Sequence, residues 1–118
     1  MGYESRIFVV DRHDHGHFVF AEKLAEIKMS QMGYGNGWRE MFANPVDYKL
    51  FIDSCDGDTD KDCYGEHLKS TNIQTVVDWL ETEIQKGNKY RRLPVLLSLL
   101  KGFDESQWTE LQVVHYGY

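Results

Sequence analysis

The sequence predicts an α+β fold, a mainly antiparallel sheet with two helices packed on one face, formed by a single domain over residues 1–118. Two observations lead there. β-Branched and aromatic runs lie near both ends of the chain, and two segments between them repeat their apolar residues at helical spacing. Strands early and late with adjacent helices between them place those helices together on one side of an antiparallel sheet. The composition agrees, with 42% hydrophobic, 14% aromatic and 27% charged residues and only two prolines. That is a globular balance with no linker-like stretch, and one core suffices at this length.

Residues 6–10 (RIFVV) read as a buried strand. After the polar DRHDHGH, residues 18–29 (FVFAEKLAEIKM) place Val19, Ala21, Ala25, Ile27 and Met29 on one side at period two. Ala, Glu, Lys and Leu also favour a helix there, but the period and the nearby turn make this segment the hairpin partner of the first strand. Gly33, Gly35 and Gly37 with Asn36 then break regular structure. Residues 38–42 make one helical turn and residues 48–52 (YKLFI) a third strand. The following SCDGDTDKDCYGEH is polar and aperiodic.

Thr71-Asn72-Ile73-Gln74 has the Thr-x-x-Gln form of a capping box, after which Ile73, Val76, Val77, Leu80 and Ile84 recur at helical spacing until Gly87-Asn88. A second helix over residues 93–101 carries Pro94 in its first turn and Gly102 past its end. Leu93, Val95, Leu96, Leu97, Leu99 and Leu100 cover most of its circumference, so it is expected to be sandwiched in the core. Asp104-Glu105-Ser106-Gln107 caps a short turn, and residues 111–116 (LQVVHY) close the chain as a strand.

Charge and composition narrow the function. A net charge of −6 argues against direct nucleic-acid binding, which needs a basic footprint. No window approaches the ~18 apolar residues of a membrane span, and no basic-then-apolar leader opens the sequence. The two cysteines are therefore expected to be reduced, available for thiol or metal chemistry. From Glu40 to Glu83 there are 11 acidic residues against Lys49, Lys61 and Lys69, whereas Lys86, Lys89, Arg91, Arg92 and Lys101 follow with no acid among them. An acidic stretch can steer toward a basic surface, although such runs are usually only a solvated face.

Two motifs point to a metal. His13, His15 and His17 alternate, so an extended backbone projects three imidazoles to one side. The competing reading is a polar hairpin turn around Asp14-His15-Gly16. Cys55 and Cys63 bracket an aspartate-rich loop that continues to Glu66 and His67, and a thiolate pair completed by histidines makes a closed Cys2His2 zinc tetrahedron. Two free thiols or a surface disulfide are the alternatives. Asp56, Asp58, Asp60 and Asp62 alternate like a calcium loop, but Lys61 stands where glycine is needed and His67 where glutamate is needed. Catalytic signatures such as Gly-x-Ser-x-Gly, a phosphate-binding loop or His-Glu-x-x-His are missing. A cysteine paired with a histidine remains a conceivable thiol nucleophile.

The opening MGYESRIFVV, the helix over residues 71–86, and the closing KYRRLPVLLSLLKGF and LQVVHYGY resemble small phage-encoded proteins of Gram-positive hosts. The cysteine and histidine segments lie outside that common pattern. In size and charge the chain is similar to some type II anti-CRISPR proteins. The resemblance implies a non-enzymatic protein of the host cytoplasm that binds and inhibits a defence protein, Cas9 or its guide-RNA complex. Asp53, Asp56, Asp58, Asp60, Asp62 and Glu66 would contact a basic surface and prevent DNA loading. A metal- or thiol-dependent hydrolase and a metal-free accessory protein are the competing expectations.

Overall fold

The computed structural model describes residues 4–29, 37–52 and 57–118. Among the described residues there are seven strands: β1 (Ser5–Asp14), β2 (Val19–Met29), β3 (Asn44–Pro45), β4 (Leu50–Ile52), β5 (Gly57–Thr59), β6 (Lys69–Thr71) and β7 (Leu111–Gly117). Two helices, α1 (Ile73–Gln85) and α2 (Arg92–Lys101), and a 3-10 turn over Glu105–Gln107 separate β6 from β7. The main sheet has the order β2-β1-β7-β6-β3 with every pairing antiparallel, and β4 and β5 form a separate ribbon. This is the predicted α+β class.

The central strand β1 is apolar on both faces because both are covered. Ile7 and Val9 point with Leu111 and Val113 toward Leu80 of α1 and Leu93, Leu96 and Leu100 of α2. Phe8 and Val10 point with Val114 and Tyr116 to the opposite side, where Val46, Tyr48, Leu50, Ile52 and Leu68 form a second core. A continuous run such as RIFVV is what burial on two faces requires. Trp38 sits in the first core, and its Nε1–H donates to Ser5 Oγ at 3.1 Å.

Three local expectations are corrected. The period-two side of β2 does not exist as one surface. The register passes from Val9↔Ala25 to Val10↔Lys23, so Leu24 is an extra residue in a bulge. Beyond it the phase inverts, and Val19 and Ala21 pack on the second core while Ala25 and Ile27 pack on the first. The cap of α1 is Asn72, whose side chain accepts from Thr75 N–H at 2.8 Å, because Thr71 is already committed to β6. Finally, α2 is not sandwiched. Leu93, Leu96 and Leu100 form its buried stripe, and Val95 is 55% exposed. The turn at residues 105–107 is capped by Asp104 as expected, its carboxylate accepting from Ser106 N–H.

Candidate metal centre

The β1–β2 hairpin closes through a tight turn in which His15 N–H donates to Phe18 O at 3.0 Å and Gly16 takes a φ of 81°. Positive φ at the first central residue is what a two-residue hairpin loop needs, and glycine adopts it without strain. The Asp14 carboxylate braces the turn by accepting from Gly16 N–H at 2.9 Å. Pairing outward from this turn sets Asp14 opposite Val19, His13 opposite Phe20 and Asp11 opposite Glu22.

That register gathers a cluster of possible metal ligands. Asp11, His13 and Glu22 each offer an atom, and these atoms lie within 4.8 Å of one another. Asp11 and His13 share a face by strand alternation, and Glu22 joins them across the ladder. Asp11 is only 3% exposed. Its Oδ1 accepts from Glu110 N–H at 2.7 Å, while Oδ2 stands 3.3 Å from His13 Nε2. Two carboxylates directly opposite in a ladder repel, and a buried carboxylate has lost most of its hydration. A cation between them answers both costs, so the group could hold a metal ion, with the Glu110 amide orienting Asp11.

Aromatic rings fix the imidazole. His13 stacks on Phe20 with centroids 4.8 Å apart, and His15 stacks on Phe18 and Phe20 at 5.0 and 5.5 Å. His13 and His15 are themselves nearly parallel, with 6.4 Å between centroids. On the opposite face Arg12 ties the hairpin to the body, donating to Asp47 from Nε at 2.9 Å and reaching Glu110 at 3.3 Å. This hydrogen bond holds the Asp47 carboxyl below its ordinary range.

The sequence motifs are thus redistributed. His13 belongs to the cluster, His15 lies beside it, and His17 leaves the strand period at the turn. Cys63 is an exposed free thiol whose backbone N–H donates to Gly117 O, and Gly117 pairs with Ser5. His13 is eight residues further along β1, roughly 27 Å away at strand rise. The joint tetrahedron of Cys63 with the histidine cluster is therefore not formed. Asp53, Cys55 and Asp56 lie outside the described residues.

The remaining acidic residues have separate situations. Asp58 and Glu66 are exposed and Asp60 is half-buried. Asp62 is occupied locally, its Oδ1 accepting from the amides of Tyr64 at 2.9 Å and Glu66 at 3.0 Å. A polar cleft of about 380 Å³ lies between Asp62, Glu66, His67, Arg39 and His115. His115 Nε2 shares a 2.8 Å hydrogen bond with the buried Ser5 hydroxyl, which also accepts from the Trp38 indole N–H. Burial first, and then Arg39, push its pKa down to about 4.

Asp11 and Glu22 were missed as ligands by sequence reasoning that looked for His and Cys. Folding the chain about Gly16-His17 is the signal that pairs them. No protein family, curated protein or solved structure matches this chain.

Proposed function

We propose that this chain is a zinc-binding protein that acts by docking on a partner, its cation held by Asp11, His13 and Glu22. The observation that supports it is the nearly solvent-free Asp11 set directly opposite Glu22 with an imidazole at hand. One nitrogen and two carboxylate oxygens form a donor set that zinc accepts at a tetrahedral site. The metal would lock the two arms of the hairpin together without the Cys63 thiol. Calorimetric titration of untagged, metal-free protein tests this. One zinc per chain is expected, weakened at least about tenfold in Asp11→Asn and His13→Ala and unchanged in Cys63→Ser. Absence of binding, or equal affinity in all three variants, rules the site out.

The partner proposed is a host defence protein with a basic surface, Cas9 or its guide-RNA complex, contacted by Asp58, Asp60 and Glu66. The acidic loop and the phage-protein resemblance support that choice. Full Cas9 cleavage in the presence of a large molar excess of the zinc-loaded protein counts against that target.

One observation favours a second reading. Three protein ligands leave a fourth position on zinc for water, as hydrolytic sites do. Hydrolysis of activated ester or phosphoester substrates by the zinc-loaded protein, lost in His13→Ala, would support it.

A further inference from the structure

Resting on the zinc reading, we infer that a second copy of this chain completes the metal: zinc on Asp11, His13 and Glu22 of one protomer takes His15 of the other, reciprocally. Zinc held by three side chains is one ligand short of its usual protein-filled tetrahedron. The missing ligand must approach from the open side of the hairpin. That side is an aromatic wall in which Phe18 is 59% and Phe20 42% exposed, their rings stacked 5.9 Å apart. An apolar patch on a projecting hairpin marks a contact surface.

The wall carries its own donor. His15 is exposed and lies parallel to His13 with 6.4 Å between ring centres. A twofold axis passing between the two rings sets each His15 opposite the other copy's His13, which is the self-complementary arrangement of an isologous contact. The same operation packs Phe18 and Phe20 of one hairpin on those of the other. Charge makes the contact conditional. Each hairpin brings Asp11 and Glu22, so two metal-free copies repel, and two zinc ions neutralise the four carboxylates. The patch is small beside the roughly 800 Å² per partner of a standard interface, so the metal supplies what area does not.

Sedimentation equilibrium of the untagged full chain, with and without one equivalent of zinc, tests this. Metal-free protein should sediment at the 13.8 kDa monomer mass and zinc-loaded protein at twice that. His15→Ala should remain monomeric and bind zinc at least about tenfold more weakly, while His17→Ala should dimerise like the parent chain. One zinc per chain on a persistent monomer, or dimerisation of His15→Ala, overturns the inference and leaves the zinc site standing. Failure to bind zinc at all removes both. Because His15 and His17 are exposed, neither substitution threatens the fold, and circular dichroism verifies that.

Discussion

Asp11 is buried and His115 half-buried, and both are linked to a neighbour, yet their electrostatics differ. Asp11 gains from any cation brought to it, whereas His115 is held neutral by its surroundings, with a pKa near 4. A histidine whose folded pKa lies below its unfolded value of about 6.5 binds protons less well in the native state. Stability therefore rises with pH across that window: the contribution is fully present above about 6.5 and is lost as pH falls toward 4. The loss is on the order of 3 kcal/mol at most, and denaturant midpoints between pH 7 and pH 4 measure it. In His115→Gln that part of the pH dependence should vanish. At this scale the sequence showed the histidine cluster and the cysteines, but not which of them meet. Asp11 belonged to neither motif, and only the pairing register makes it and Glu22 neighbours.

The elements were largely legible because their signals are local. The apolar spacing of α1 and Pro94 in the first turn of α2 act within a few residues, although the cap of α1 falls on Asn72 and not on Thr71. The bulge at Leu24 was not legible, since an unpaired residue preserves parity along the chain while inverting it in space. Exposure of α2 was equally hidden. Leucine-rich composition says that a helix can be buried all round, but the second core formed on the far side of the sheet and left one face of α2 to solvent. This distinction is measurable. Leu96→Ala should cost about 2–5 kcal/mol, as buried leucine truncations do, whereas Val95→Ala should stay within about 0.5 kcal/mol. Urea denaturation of the two variants reads the difference, and equal losses would place α2 between two packed layers.

On the scale of the whole molecule, the fold separates what the sequence put together. The histidine motif and Cys63 sit at opposite ends of β1, and the basic run after α1 is partly answered by acid, Lys101 pairing with Glu81 at 3.0 Å and Lys86 with Glu83 at 3.4 Å. Long-range placement of this kind comes from strand length and sheet order, which short motifs do not encode. Among the described residues, Phe18 and Phe20 stand exposed on the hairpin that carries Asp11, His13 and Glu22, and near the Cys63 end Asp58 and Glu66 lie exposed on an acidic loop. The central claim is the metal site on the hairpin. A zinc titration followed by two-dimensional amide NMR tests it most directly: the resonances of Asp11, His13, Glu22 and Glu110 should move together and saturate at one equivalent, with Cys63 and His67 unmoved. Shifts centred on Cys63 and His67, or none at all, would contradict it.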